Sequence, residues 1–292
     1  MDFRGKTIWI TGAASGMGRA LALELAKYGT KLILTDRDAE GLRLVTQEAR
    51  QQAARQVHTP ADQELQKPST QAAQQPGDSG GTTIYPMVLD MADSRAIEQC
   101  LARLPELGLR VQALYQFAGI SQRSLLMETP LENDRKIMEI NYFGPVILAK
   151  ALLPQMIAGG GGQLAVASSL VGKFGFPYRS AYSASKHALH GFFESLAAEN
   201  YQQGLRVSII IGGRIRTNIS KFALDKDGRE HGRMDPGQAG GISPEKAARQ
   251  ILRGLRKQKA EIPVGGSELL ILGIRRFFPA LHRRLVRKIK PM

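Results

Sequence analysis

Apolar runs of strand length recur along the chain, and helical patterns fill the gaps between them. The runs are TIWITG (7–12), KLILTD (31–36), TIYPMVLD (83–90), ALYQFAG (113–119), QLAVASS (163–169) and RVSIIIGG (206–213), with a shorter seventh, EIPVGG, at 261–266. Between them lie stretches such as GRALALELAKYG and DRKIMEINYFGPVILAKALLPQMI, whose apolar residues return at helical spacing. Runs that are apolar throughout, rather than alternating, belong to strands buried on both faces, the condition of a parallel sheet covered by helices. Right-handed crossovers then wind the chain to both sides of the sheet. The predicted fold is therefore α/β: a doubly wound parallel sheet of about seven strands in a single domain. A chain of 292 residues that is 43% hydrophobic can fill one core of that size.

Two stretches break the alternation. Residues 51–81, rich in Gln, Ala and Pro, form a low-complexity insertion between the helix after the second strand and the third strand. That helix returns the chain to the N-terminal edge of the sheet, whereas ligands bind at the C-terminal edge, so the insertion is expected away from the chemistry. The tail, 267–292, has no acidic residue after Glu268 and mixes apolar with basic side chains, the pattern of an amphipathic surface helix facing anionic lipid or a partner subunit. It contributes to a formal net charge of +14. No nucleic-acid-binding signature accompanies that charge, and no nucleic-acid partner is expected. The single cysteine, Cys100, cannot form an internal disulfide and fits a reducing compartment. With no secretory leader and no apolar run of spanning length read in the chain, the expected location is cytoplasmic, peripheral to a membrane if the tail binds lipid.

TGAASGMG follows the first strand and opens a helix. Gly12, Gly16 and Gly18, with Ser15 and Met17 between them, let the backbone turn sharply and approach a pyrophosphate, which the helix N-terminus would receive. Asp36 ends the second strand. A carboxylate there either accepts hydrogen bonds from ribose hydroxyls, favouring NAD, or merely caps the next turn; Arg37 beside it could instead hold the 2′-phosphate of NADP. Tyr182 and Lys186 in SAYSASKHALHGFFESL stand one helical turn apart on one face. An ammonium beside a phenol favours the phenolate and suits the phenol to acid–base work.

TGAASGMG, INYFG, VASSLVG and YSASK, in this order and spacing, resemble the short-chain dehydrogenase/reductase family from about Lys6 to Gly266, closest to members acting on apolar alcohols and ketones of steroid or retinoid type. The resemblance implies a Rossmann-type fold and a dimer or tetramer. It implies Tyr182 as acid–base, Lys186 on the nicotinamide ribose, Ser169 rather than Ser168 on the substrate oxygen, and Asn141 holding a water in a proton relay. Asp90, Met91, Ala118, Gly119, Gly213, Ile215 and Thr217 join the cofactor contacts. Residues 218–243 match a substrate lid, and Phe174, Phe176, Phe222 and Leu224 could line an apolar pocket or only pack the lid. Two departures stand out. Phe117 occupies the place of a family asparagine that steadies the sheet, and Gly212-Gly213 replaces Pro-Gly, which would loosen the backbone beside the nicotinamide. His187 and His190 lack further ligands at metal spacing, so no metal site is assigned. The expected function is hydride transfer between NAD, or NADP, and a secondary alcohol or ketone. The alternatives are an NADPH-dependent carbonyl reductase and a non-catalytic dinucleotide-binding sensor or scaffold.

Overall fold

The computed structural model describes residues 1–56 and 81–288. Seven strands, β1 (Thr7–Thr11), β2 (Lys31–Asp36), β3 (Thr83–Val88), β4 (Ala113–Gln116), β5 (Gly162–Ser169), β6 (Leu205–Gly212) and β7 (Glu261–Val264), form one sheet of order β3-β2-β1-β4-β5-β6-β7. Every pairing is parallel. The order reverses direction between β1 and β4, which opens a crevice at the C-terminal ends of those strands.

The strand runs are apolar throughout because successive side chains serve opposite faces. Trp9, Ile33, Leu114, Leu164 and Ile209 face one helical layer, where α3 (Ser94–Glu106), α5 (Gly144–Ala158) and α6 (Ser180–Asn200) supply Ile97, Leu148, Leu152 and Phe193. Their neighbours Ile8, Ile10, Leu32, Leu34, Tyr115 and Ile210 face the other layer. There α1 (Gly16–Leu25), α2 (Ala39–Gln56) and α8 (Pro244–Arg256) supply Leu21, Leu25, Val45 and Ile251. Both edge strands contain a proline, Pro86 in β3 and Pro263 in β7. Each removes an N–H from an edge that could otherwise pair with another chain.

The insertion predicted over 51–81 begins inside a helix: residues 51–56 are the last turns of α2, with Ala53 buried, and 57–80 lie outside the described residues. One stretch, Leu131–Ala158, is long and apolar enough to cross a bilayer. It comprises α4 (Leu131–Met138), a π turn (Glu139–Phe143) and α5, and its apolar side chains Ile137, Leu148, Leu152 and Met156 lie in the core against the sheet. The segment 218–243 holds a short helix, α7 (Pro236–Ala239). The tail forms α9 (Leu270–Phe277) and α10 (Pro279–Lys288).

Candidate active site

The turn after β1 needs its glycines for two reasons. Gly12 has φ +68°, and a Cβ there would lie 2.5 Å from the Ala118 nitrogen; a Cβ on Gly18 would lie 2.2 Å from the Gly12 carbonyl oxygen. The glycines therefore let α1 and the loop after β4 close on the turn itself, which shapes the crevice before any ligand is considered. α1 begins here with Ser15 as N-cap, and the Ser15 side chain makes no capping bond. The first N–H groups of the helix thus have no side-chain oxygen beside them.

The crevice is about 330 Å³ and is lined by Gly12, Ser15, Gly16, Met17, Gly18, Asp36, Arg37, Asp90, Met91, Ala118, Gly119 and Thr217. Sequence reasoning missed Asp38 in this lining, while Phe222, one of the four expected pocket residues, and Asn218 of segment 218–243 also reach it. Asp36 caps the next turn and lines the crevice. Its carboxylate accepts from the Ala14 N–H at 3.0 Å and the Asp38 N–H at 3.1 Å, so it organises the turn, and it still faces the crevice. Arg37 beside it is exposed. Phe117, in the asparagine's place, also lines the crevice. The bonds that steady this part of the sheet come from Thr11, whose carbonyl accepts from Phe117 N–H at 3.1 Å and whose hydroxyl accepts from Ala118 N–H at 3.4 Å.

Gly213 and Ile215 stand behind this wall. The Ile215 carbonyl and the Thr217 hydroxyl are engaged by the Gln238 amide, from α7. The backbone around Gly212-Gly213 is bonded on both sides. Gly213 N–H donates to the Val264 carbonyl at 2.8 Å, and the Glu268 carboxylate accepts from Arg214 N–H at 2.7 Å and Gly266 N–H at 3.0 Å. A Cβ on Gly213 would lie 2.3 Å from that carboxylate, so the second glycine makes room for the clasp.

Asn141, Ser169, Tyr182 and Lys186 are not among the residues that line the crevice; they lie near one another beyond Gly119. Asn141 sits in the π turn, fully buried. Its Oδ1 accepts from Ile120 N–H at 2.9 Å, and its Nδ2 donates to the Ile120 carbonyl at 2.9 Å and the Ser185 hydroxyl at 3.0 Å. Lys186 Nζ donates to the Ala167 carbonyl at 2.7 Å and lies 5.8 Å from the centre of the Tyr182 ring. Gly119 joins this group to the crevice: a Cβ on it would lie 2.9 Å from Asn141 Oδ1 and 3.4 Å from Lys186 Nζ. Ser168 and Ser169 alternate across β5. Ser168 is committed to the Lys186 carbonyl at 3.2 Å and to His190 Nε2 at 3.0 Å, whereas the Ser169 hydroxyl donates to the Gly212 carbonyl at 3.3 Å, accepts from Val171 N–H at 3.4 Å and is close enough to Tyr182 to favour its ionised form.

Burial acts on both members of the Tyr182–Lys186 pair. Burial raises the Tyr182 pKa above its ordinary value; Arg179, the Ser169 hydroxyl and Arg123 pull the other way without overcoming it. Burial also lowers Lys186 to about 8. Its ammonium is turned to a backbone carbonyl.

The N-terminus of α6 is held from outside the helix, which the sequence did not reveal. Gln122 Oε1 accepts from Ala181 N–H at 2.9 Å, while its Nε2 donates to the Thr129 hydroxyl at 2.8 Å and the Ser180 hydroxyl at 3.3 Å. Arg179, the N-cap residue of α6, and Arg123 both meet Asp235 of segment 218–243. Phe174 is buried and packs edge-on against His282 of α10 at 4.7 Å, Phe176 lies under Arg179, Leu224 is in the core and Phe222 is half exposed. The four do not form one pocket lining. His190, Glu194 and Glu261 lie within 4.8 Å of one another, but Lys173 pairs with Glu261, and the two His190 nitrogens are taken by Ser168 and Glu194.

A doubly wound sheet with a glycine turn at its switch point, an acidic residue ending β2, and a Ser–Tyr–Lys group beside the crevice defines a dinucleotide-binding oxidoreductase fold. The chain belongs to the short-chain dehydrogenase/reductase family. The family profile for short chain dehydrogenase matches residues 6–76 and 61–228. The Xenopus tropicalis protein named dehydrogenase/reductase SDR family member 7B is 37% identical over 257 residues, spanning 88% of this chain and 76% of the relative. A short-chain dehydrogenase from Shigella flexneri solved with NADP is 27% identical, with a TM-score of 0.65 over 84% of this chain and 89% of that one. A Burkholderia phymatum enzyme solved with NAD shares the fold at 19% identity, with a TM-score of 0.74 over 100% and 98% of the two chains.

Proposed function

We propose that the protein transfers a hydride between a nicotinamide dinucleotide and the carbinol or carbonyl carbon of a small, apolar secondary alcohol or ketone. The observation that carries this reading is the position of Gly119. It lines the crevice and at the same time lies against Asn141 and Lys186, so the acid–base group and the dinucleotide crevice share a wall. The crevice fits the cofactor because its glycine turn admits close backbone approach, the start of α1 carries no acidic side chain to repel a pyrophosphate, and Asp36 faces the adenosine end. When bound, the nicotinamide supplies or accepts the hydride.

The chain's own residues do the rest. Ser169 holds the substrate oxygen beside Tyr182. Tyr182, kept protonated by burial, donates its proton to the oxygen of a carbonyl being reduced, and takes one back in the reverse direction. Lys186 binds the nicotinamide ribose and supplies positive charge. Asn141 fixes Ile120 and, through it, the loop that forms the crevice wall. Gly213, Ile215 and Thr217 flank the nicotinamide, and segment 218–243 closes over the substrate as a lid.

Asp36 supports NAD over NADP, with Arg37 as the group an NADPH-dependent carbonyl reductase would use. A panel of secondary alcohols and ketones, run with both cofactors, tests these readings. Wild-type protein is expected to turn over apolar members with NAD(H), and Tyr182→Phe to lose about 10²–10⁴-fold in kcat/KM while still binding NADH by fluorescence. Equal turnover by the variant removes Tyr182 from the mechanism. No turnover by either protein favours the sensor or scaffold. Tighter binding of NADPH than NADH reverses the cofactor preference. A dimer or tetramer is the proposed assembly, checked by light scattering.

The tail supports a peripheral membrane contact. Leu270 and Phe277 of α9, Phe278 between the two helices and Leu281 of α10 are exposed beside Arg275, Arg276, Arg283, Arg284, Arg287 and Lys288, an apolar and cationic surface that fits anionic lipid.

A further inference from the structure

Three charged side chains meet in a place water barely reaches. Arg123, in the loop after β4, is 1% exposed; Asp235, from segment 218–243, is 4% exposed; Arg179, at the head of α6, is 18% exposed. Asp235 accepts from Arg123 Nη2 at 2.6 Å and Nε at 3.1 Å, and from Arg179 Nη2 at 2.9 Å. Arg123 Nη1 is used up on the Ser121 hydroxyl at 2.8 Å and the Gln122 carbonyl at 2.5 Å. Two cations share one anion, which leaves an excess positive charge inside the protein.

An unbalanced buried charge is costly. Arg179 shows the cost. Its Nε is buried with no protein acceptor among the described residues, and burial together with repulsion from Arg123 lowers its pKa to about 10. The group that such a charge would favour is close by. Tyr182 is three residues along the same helix, and Arg179 and Arg123 both act to stabilise its ionised form. Lys186 on the next turn of α6 and the Ser169 hydroxyl at the end of β5 also face the phenol, and the ammonium is bonded to Ala167. Asp235 is the one carboxylate of the cluster, and it belongs to a segment stitched to the Arg123 loop: Arg123 N–H donates to the Leu224 carbonyl at 2.7 Å, and Leu224 N–H to the Ser121 carbonyl at 2.9 Å.

We propose that Arg123, Asp235 and Arg179 couple the seating of segment 218–243 to the proton affinity of Tyr182. With Asp235 seated, one of the two guanidinium charges is cancelled and the phenol holds its proton. With Asp235 displaced, both charges act and the phenolate is favoured. The three are positioning residues, since they act through Tyr182. The coupling rests on Tyr182 being the acid–base group, but its test does not depend on turnover.

The full-length protein labelled with [ζ-¹³C]tyrosine is titrated by NMR, alone and with saturating NAD⁺, and the Tyr182 resonance is assigned by its loss in Tyr182→Phe. Asp235→Asn is expected to lower the midpoint by about half a pH unit or more, and Arg179→Gln to raise it by a similar amount. Arg179→Lys, which keeps the charge, should leave it in place. Opposite displacements establish the coupling; displacement in the same direction, or of only one or neither variant, overturns it. A purely structural role would not produce opposite signs. If Asp235→Asn does not fold, the Arg179 pair decides: a rise in Gln that is absent in Lys supports the coupling, and any other result refutes it. Turnover of Tyr182→Phe equal to wild type would sink the acid–base reading separately.

Discussion

Lys186 carries a stability cost that can be measured without a substrate. Burial moves it from an ordinary 10.5 to about 8. Below pH 8, folding must bury an ammonium that the unfolded chain leaves in water. Between about pH 8 and 10.5 the unfolded chain still holds the proton that the folded one has shed, so this residue's contribution to stability rises with pH across that window. The difference in urea-unfolding free energy between wild type and Lys186→Met should therefore climb from pH 8 to 10.5, and a flat difference would show that the lysine is not held at a depressed pKa. The Tyr182–Lys186 pair was legible in the sequence because a helical turn is a local geometry, whereas Ser169 was singled out only by the family resemblance. Arg123 and Asp235 were not, because they meet across 112 positions of chain and no local pattern records such a meeting. Sequence spacing likewise reports the neighbouring lysine but not the burial that raises the phenol's pKa.

At the level of elements, the hydrophobic runs located all seven strands, since burial on both faces leaves a continuous apolar signal. They overran the strand ends: QFAG after Tyr115 was read as strand, yet β4 stops at Gln116, because the loop that follows turns inward to Thr11 and Asn141. The boundary of the insertion was also blurred. Residues 51–56 are low in large apolar side chains, but a single buried Ala53 suffices to keep the last turns of α2 on the core. The glycine turn has a sharper consequence. Gly18 lies too close to the Gly12 carbonyl for any side chain, so Gly18→Ala must push α1 away from the turn. The expected result is loss of NADH binding, read by fluorescence titration, together with a fall in Tm. Unaltered binding would mean that the close contact between helix and turn does not shape the crevice.

At the scale of the whole molecule, the tail joins surface to centre. Vesicles of phosphatidylcholine alone and with about one-third phosphatidylglycerol distinguish its roles. The protein is expected to float with the anionic vesicles only, to be released by about 0.5 M salt, and to lose flotation in the Phe277→Ser/Phe278→Ser double variant. Flotation that ignores lipid charge, or its absence with anionic vesicles, would leave the cationic face to solvent or to another subunit. The fold accounts for why such a tail can matter: Phe174 of the loop after β5 leans on His282, and Glu268 ties together the backbone just past the ends of β6 and β7. A force applied at α10, by a membrane or by a partner, therefore has two short routes to the strand ends beside the crevice. Trimming the chain after Gly266 to obtain a neater catalytic core would remove the rivet that keeps the floor of that crevice from sagging.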